Sequence, residues 1–217
     1  MRHLRRAPLS KIMKSGINDI TSIRAQLREK RRELTPDQQL LAGESLLEQL
    51  SRLHSFRTSK RIACYLPNDG EIDTGPVINW ILQNNKACYL PVLSRVCGNR
   101  LRFAAVDYSS DMGLNQFGIP EPVTRLRDLV SATHLDMVLL PLVGFDIYGN
   151  RIGMGGGYYD RSLQLLRHRR HWHKPRLFGL AHEMQKLEKI AVQPWDVPLQ
   201  GIVTDEKIYL PEGSGDQ

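Results

Sequence analysis

Four glycines in five positions (Gly153, Gly155, Gly156 and Gly157) stand between Arg151 and Asp160 in the run Arg-Ile-Gly-Met-Gly-Gly-Gly-Tyr-Tyr-Asp. Glycine loses more conformational freedom on folding than any other residue, so this density needs a reason. One reason is chemical. Backbone N–H groups without neighbouring Cβ atoms can converge into a concavity for an anion where a loop enters a helix, and a phosphate chain is the guest that suits it. The other is a tight strand-to-helix turn that needs positive φ. The spacing matches neither G-x-x-x-x-G-K-[ST] nor G-x-G-x-x-G. At the flanks, Arg151 can fork onto phosphate oxygens and Asp160 can offer a hard carboxylate oxygen to magnesium. A plain ion pair between them, or a carboxylate favouring a helix start, explains the same two residues. Tyr158 and Tyr159 can stack on a planar ring or simply fill core.

The glycine run follows the apolar stretch Met137 to Val143, which reads as a central strand covered on both faces. Tyr148-Gly149-Asn150-Arg151 is a turn signal, and a helix is predicted from about Gly157 to Arg167. Upstream, Ile23, Leu27 and Leu34 suit a helix with Arg/Lys-rich outer faces. Thr35-Pro36-Asp37-Gln38 starts a second helix through a capping box, continued by Leu40, Leu41, Leu46, Leu47 and Leu50. Arg61–Pro67 reads as a buried strand, Asn68-Asp69-Gly70 as a turn, residues 76–83 as a helix and Ala87–Val92 as a strand. Cys97-Gly98-Asn99-Arg100 is read as the hairpin turn into a strand over Leu101–Val106. Strands near Leu177–Leu180 and Ile202–Val203 complete the order. The β–helix–β alternation predicts an α/β fold in three layers: a mostly parallel central sheet, helices on both faces and a small hairpin extension. No internal repeat or linker interrupts it, so residues 22–211 are expected to form one α/β domain, with 212–217 a loose tail.

With 217 residues, 30 Lys+Arg and 23 Asp+Glu, the chain has a net charge of +7 and an isoelectric point near 9.5. The excess is local. Residues 1–32 hold ten Lys/Arg against two acids, a balance of +8, which leaves the rest of the chain at −1. A basic footprint confined to one arm argues against a specific nucleic-acid surface. Residues 1–21 are expected to be a flexible basic arm, and residues 1–18, which lack acids, also fit a mitochondrial presequence. The expected location is the cytoplasm, or the mitochondrial matrix if that segment is a presequence. The longest apolar run, Met137 to Phe145, includes Pro141 and is far shorter than the roughly 20 residues a membrane helix needs. Three cysteines without a C-x-x-C pair fit a reducing compartment, with Cys64 and Cys88 as buried thiols. His168-Arg169-Arg170-His171-Trp172-His173 lacks the acid or cysteine that would complete a metal set, and reads as cations near a helix end.

The order Leu-Pro-Leu-Val-Gly-Phe-Asp followed by Arg-Ile-Gly-x-Gly-Gly-Gly-Tyr-Tyr-Asp resembles the 5-formyltetrahydrofolate cyclo-ligase (methenyltetrahydrofolate synthetase) family. The resemblance spans about residues 22–210. It includes Arg24-x-x-x-Arg28, Tyr65-Leu66-Pro67 before Gly70-Glu71-Ile72-Asp73-Thr74, and Gly118-Ile119-Pro120-Glu121-Pro122. It implies a carbon–nitrogen ligase that uses ATP and Mg2+ to convert 5-formyltetrahydrofolate to 5,10-methenyltetrahydrofolate, releasing ADP and phosphate. The formyl oxygen would be phosphorylated and N10 would then close the ring. By position, ATP would meet Arg24, Arg28, Arg151, Ile152, Gly153, Met154, Gly155, Gly156, Gly157, Tyr158 and Tyr159. The folate would meet Arg28, Leu66, Glu71, Met154, Gly155, Gly156, Gly157 and Tyr158, with Glu71 on the pterin. Arg151 and Tyr158 would be catalytic and Asp160 would hold magnesium. Two departures stand out. Arg24 takes the place of the commoner Lys, and Gln200 follows Pro198-Leu199 where many relatives carry a second acid.

On the residues alone other readings remain: Arg24 and Arg28 as a solvated helix face, and Glu71 as turn chemistry beside Gly70. Two other functions stay open. One is a kinase or ligase acting on a different small anion; the other is nucleic-acid binding through the basic arm. The expected partners are a reduced folate and ATP, with a monomeric chain and no membrane.

Overall fold

A computed structural model describes residues 9–94, 100–166, 174–193 and 196–211; the side chains of 9–19 and of Ser94 are not described. In chain order the elements are α1 (Leu9–Arg32), α2 (Pro36–Arg52), α3 (His54–Thr58), β1 (Arg61–Ala63), α4 (Gly75–Gln83), β2 (Ala87–Ser94), β3 (Arg100–Val106), β4 (Met112–Leu114), β5 (Pro120–Pro122), β6 (Met137–Pro141), β7 (Gly144–Phe145), β8 (Arg151–Ile152), α5 (Tyr158–Leu163), β9 (Arg176–Ala181), β10 (Gly201–Thr204) and β11 (Ile208–Tyr209).

Seven strands form one sheet in the order β11-β10-β9-β6-β1-β2-β3. Strands β10, β9, β6, β1 and β2 run parallel, and the two edges, β11 and β3, are antiparallel. Alternation along the buried strands splits the side chains between two cores. Ile62, Met137, Leu139, Phe178, Leu180 and Val203 pack on α2, α3 and α4 through Leu46, Leu50, Phe56, Val77 and Ile81. On the other face Ala63, Val138, Leu140, Leu177 and Ile202 meet Leu163 and Leu166 of α5 and the turn after it. Each strand is apolar on both faces because helices cover both. The α/β fold, with its mostly parallel sheet, is as the sequence predicts. Among the described residues no helix is long and apolar enough to cross a membrane.

Several details differ from the sequence-based expectation. Helix α1 begins at Leu9 rather than near Ile23. Leu9, Ile12, Met13, Ile17, Ile20, Ile23 and Leu27 recur at three- and four-residue steps across the segment read as an arm. Strand β1 ends at Ala63, four residues before Pro67, although Cys64 N–H still reaches Tyr89 O at 2.9 Å. The apolar run from Met137 divides into β6 and the short β7, which pairs antiparallel with β8, so a two-stranded hairpin carries the glycine run. The predicted helix from Gly157 is α-helical only to Leu163 and continues as a 3-10 turn to Leu166. The capping box on α2 forms as read: Gln38 N–H donates to Thr35 Oγ1 at 3.3 Å and Thr35 N–H donates to Gln38 Oε1 at 2.9 Å. Strands β2 and β3 pair antiparallel as expected. The loop between them, the His168–His173 cluster, Cys97 and the 212–217 tail lie outside the described residues.

Candidate active site

The chain leaves β1 for β2 on one side and leaves β6 for β9 on the other, so β1 and β6 flank the point where the strand order reverses. In open α/β sheets, ligands bind beyond the carboxyl ends of strands at such a reversal. Here those ends lead into residues 64–71 and 142–157, the two stretches singled out by their chemistry.

Helix α1 lies against this opening. Leu27 packs with Val143, Ile152 and Ile190, and a Cβ at Gly144 would come within 2.9 Å of Leu27 Cδ1, so a larger residue there would make Leu27 shift. Packing in this way aims the basic residues of α1 at the loops. Arg31, 0% exposed, donates from Nε to Asp69 O (2.7 Å), from Nη2 to Asp69 Oδ2 (3.1 Å) and from Nη1 to Leu142 O (3.3 Å). Its Nη2 also lies 3.8 Å from Glu71 Oε1 and 3.8 Å from Met154 Sδ. Arg28 Nε reaches Asp69 Oδ2 at 2.6 Å, and Arg32 closes on the other carboxylate oxygen. Burial opposes charge on Asp69, but hydrogen bonds from Arg28 and Arg32 overcome it and hold the carboxyl below its usual range. Glu71 behaves in the opposite way. Burial pushes its carboxyl up to about 7, and nearby Arg31 only partly offsets this.

The hairpin that presents the glycine run is fixed by Asp146, which is fully buried. Its Oδ1 accepts N–H from Tyr148 and Asn150 (3.0 Å each), and its Oδ2 accepts from Asn150 Nδ2 and Ile190 N–H (2.9 Å each). Gln185 holds the preceding segment by donating from Nε2 to Leu142 O (2.7 Å) and Val143 O (3.0 Å). Beyond Ile152 the loop turns outward. Residues 153–156 are exposed, with Gly155 at φ 95° and Gly157 at φ 63°, in the region only glycine enters without strain. Among the described residues, no backbone N–H from Gly153 to Gly157 finds an acceptor. Cations surround these amides. Arg24 Nε donates to Gly153 O at 2.9 Å, and Arg161 Nη2 donates to Gly156 O at 2.6 Å. An anion with several oxygens would satisfy both features together.

Arg151 and Asp160, at the two ends of the run, are joined as an ion pair, and Arg151 Nη1 also donates to Val197 O at 2.6 Å. Asp160 is one-third exposed while the Arg151 side chain is nearly covered. Among the described residues no group of three His, Cys, Asp or Glu could hold a metal ion. Magnesium commonly takes one or two carboxylates together with phosphate oxygens and water. Asp160, with one oxygen left outside its bond to Arg151, therefore fits the role of a single protein ligand. Gln200 is committed elsewhere: its Oε1 accepts Leu177 N–H at 2.6 Å and its own backbone N–H donates to Leu177 O at 2.9 Å. The Gln200 side chain thus fastens the start of β9.

A model of the 5-formyltetrahydrofolate cyclo-ligase family matches residues 17–205. The chain belongs to the 5-formyltetrahydrofolate cyclo-ligase family. It is 38% identical over 183 residues to the 5-formyltetrahydrofolate cyclo-ligase of Escherichia coli K12, covering 84% of this chain and 98% of that one. The enzyme of the same name from Haemophilus influenzae is 39% identical over 183 residues, covering 83% and 95%. In three dimensions the fold is similar to the NMR structure of Aquifex aeolicus 5,10-methenyltetrahydrofolate synthetase, with a TM-score of 0.73, 30% identity, and coverage of 89% of this chain and 93% of that chain. Membership in this cyclo-ligase family makes the chain a ligase.

Of the residues predicted for a cyclo-ligase site, Arg24, Gly153, Met154, Gly155, Gly156 and Gly157 lie together at the loop. Arg28 pairs with Asp69, and Glu71 approaches the same cluster through Arg31. Leu66 is half-buried in the segment that leads from β1 to Glu71. Tyr158 leans outward: its ring meets Phe117 edge-on at 5.9 Å, its hydroxyl accepts from Gln116 Nε2 at 3.4 Å, and the Arg161 guanidinium lies 5.2 Å from its centroid. Tyr159 turns inward, where burial keeps its phenol protonated. Ile152 is buried against Leu27 and serves packing. Sequence reading missed Arg31, Asp69, Gln116, Phe117 and Arg161, which the structure brings to this region. Arg161 stands five residues beyond the Gly156 carbonyl to which it donates, outside the motif, and nothing in its spacing marks it. Asp69 is different: it sits inside the Asn-Asp-Gly turn at φ 54°, where an acid at a left-handed position is a visible signal.

A separate cavity of about 610 Å3 opens at the other end of the sheet, lined by Thr58, Lys60, Arg61, Asn85, Ala87, Asp136 and Lys174. Burial alone would raise the Asp136 carboxyl, but Lys174 and the N–H groups of Arg61 and Lys60 hold it down at about 2. This cluster ties the amino ends of the strands together.

Proposed function

We propose that this chain catalyses the ATP- and Mg2+-dependent cyclisation of 5-formyltetrahydrofolate to 5,10-methenyltetrahydrofolate, with ADP and phosphate as co-products. The observation that carries the proposal is the set of unpaired amides from Gly153 to Gly157, bordered by Arg24 and Arg161. Family membership supplies the folate half of the reading. In it, residues 22–211 act as one catalytic domain, the chain works as a monomer on two small molecules, and no specific nucleic acid takes part. The protein acts in the cytoplasm, or in the mitochondrial matrix if its first residues are a presequence; one relative, from Arabidopsis thaliana, is named as mitochondrial.

The chemistry has a simple demand. A formamide oxygen is a poor leaving group until it is phosphorylated. Its attack on the γ-phosphorus breaks the bond to ADP and gives an imidate phosphate; N10 then attacks the same carbon, loses its proton, and inorganic phosphate departs. Both steps depend on holding the partners in line and stabilising mobile phosphoryl charge. The loop amides and Arg24 bind the triphosphate, and Arg151 turns its fork toward phosphate oxygens when they arrive. Arg28 orients the folate from the α1 side. Glu71, with Leu66 beside it, holds the pterin, and Tyr158 and Met154 border the place where the two substrates meet. When bound, magnesium supplies positive charge to the phosphates, and Asp160 is the residue that holds it.

The test is direct. The purified protein is mixed with Mg-ATP and 5-formyltetrahydrofolate, and the methenyl chromophore is followed together with ADP. Growth of both in equal amounts is expected; folded protein that produces neither would refute the proposal.

A further inference from the structure

Tyr65, 3% exposed, sits just past β1, its ring in the core with Cys64 and Ile72. Its backbone carbonyl accepts from Thr74 Oγ1 at 2.5 Å, so the main chain there is fixed. Its hydroxyl, however, is buried and among the described residues has no hydrogen-bond partner. A buried hydroxyl without a partner costs free energy that a phenylalanine would not, so its presence calls for an explanation. Burial dominates the surroundings of this phenol, and Glu71, Cys64, Tyr159 and Arg31 are the ionisable groups that act on it. Arg31 in turn lies 3.8 Å from both Glu71 Oε1 and Met154 Sδ, which ties this neighbourhood to the glycine loop.

Charge divides the opening into two halves. The loop amides, with Arg24 and Arg161, favour an anion. On the Glu71 side the α1 arginines are already paired with Asp69, and the carboxyl of Glu71 suits a neutral ring carrying N–H donors. A pyrimidine edge with an amino group and an oxo group offers donors to a carboxylate and an acceptor to a phenolic O–H side by side. We propose that the Tyr65 hydroxyl is a substrate-selecting group that hydrogen-bonds the amino-oxo ring edge of the reduced folate next to Glu71. This rests on the folate reading above and adds to it a residue whose ligand-free state is the less stable one: the hydroxyl gains its partner only when substrate binds.

Tyr65→Phe removes one oxygen and keeps the ring. Three quantities are measured on the full chain: the ligand-free melting temperature, the Kd for 5-formyltetrahydrofolate, and the KM for Mg-ATP. The expected result is a melting temperature equal to or above that of the parent, folate binding weakened about tenfold, and an unchanged KM for Mg-ATP. The fragment 5-formyl-6-methyltetrahydropterin, which lacks the benzoylglutamate, is expected to lose the same factor. A lower melting temperature with unaltered folate affinity would place the hydroxyl's partner within the protein or on a retained water, and would overturn the proposal. So would a loss for the full folate that the fragment does not share, because the contact would then lie away from the ring edge. If the parent chain itself bound no 5-formyltetrahydrofolate, the folate reading would fail, a result distinct from either of these.

Discussion

Arg31 grips Asp69 twice, through the backbone carbonyl at 2.7 Å and through the carboxylate at 3.1 Å, although 38 residues separate them. The pair joins α1 to the turn after β1, and the third bond from Arg31, to Leu142 O, adds the end of β6. Three segments that carry site residues are therefore held by one guanidinium, itself wholly removed from solvent. Arg31→Met removes both of its bonds to Asp69, which keeps Arg28 and Arg32, along with the bond to Leu142 O and the guanidinium beside Glu71. It leaves Asp69 O and the buried Leu142 O without this donor. A loss of about 3–5 kcal/mol in urea unfolding is expected, with Arg31→Lys recovering part of it. A change below about 1 kcal/mol would mean that the cluster is not organised by this residue.

Asp146 is the second organiser, because four hydrogen bonds to its carboxylate shape the hairpin under the glycine loop. Asp146→Ala strands buried N–H groups, and a loss of about 3 kcal/mol or more is expected. Turnover of the protein that remains folded should fall as well, since the loop loses its support. Full activity at an unchanged melting temperature would contradict the assignment.

Glu71 makes stability depend on pH. Its folded-state value of about 7 lies above the ordinary 4.5, so the fold favours the neutral carboxyl. The contribution is fully present below 4.5 and is lost as pH rises through 7. Relative to Glu71→Gln, the parent should therefore lose up to about 3 kcal/mol between pH 5 and pH 8 in denaturant titrations. Parallel stability curves for the two proteins would show that the carboxyl is not buried in this way.

Two glycines in the loop separate space from backbone strain. A Cβ at Gly153 meets nothing within 4 Å and needs no unusual φ, whereas Gly155 holds φ 95°. Gly153→Ala is expected to leave the melting temperature unchanged and to raise the KM for Mg-ATP several-fold, because the methyl group stands where phosphate oxygens approach. Gly155→Ala is expected to cost about 1 kcal/mol or more in stability in addition. An unaltered KM in Gly153→Ala would remove that amide from the nucleotide site.

Much of the architecture was legible because burial on both faces leaves a plain mark: Met137 to Val143 is apolar at every position. The α2 start was legible from Thr35, Pro36 and Gln38, whose local hydrogen bonds need no tertiary partner. The glycine run stood out because its composition is costly unless used. What sequence could not show were long-range polar contacts. Arg31 is one of several arginines on α1, and nothing local distinguishes the one that is buried. Its selection depends on which face Leu27 turns toward Val143 and Ile152. The division of the apolar run into β6 and β7 was hidden for a similar reason, since Gly144 packs close to Leu27 and Leu187, contacts that its neighbours in sequence do not mark. Arg151 and Asp160 read, in sequence, either as ligand contacts or as an ion pair. The structure joins them to each other, so under the proposed function nucleotide binding would exchange partners that already exist.

The central claim is that the amides of residues 153–157 receive the phosphates of ATP. Titrating isotopically labelled protein with Mg-ATP and following each backbone amide by NMR tests it most directly. The expected result is large, saturable shifts at Gly153 to Gly157 and at Arg24, with little change at Lys60, Arg61, Ala87 and Lys174 around the opposite cavity. Shifts concentrated in that cavity, with the glycine loop unmoved, would contradict the account.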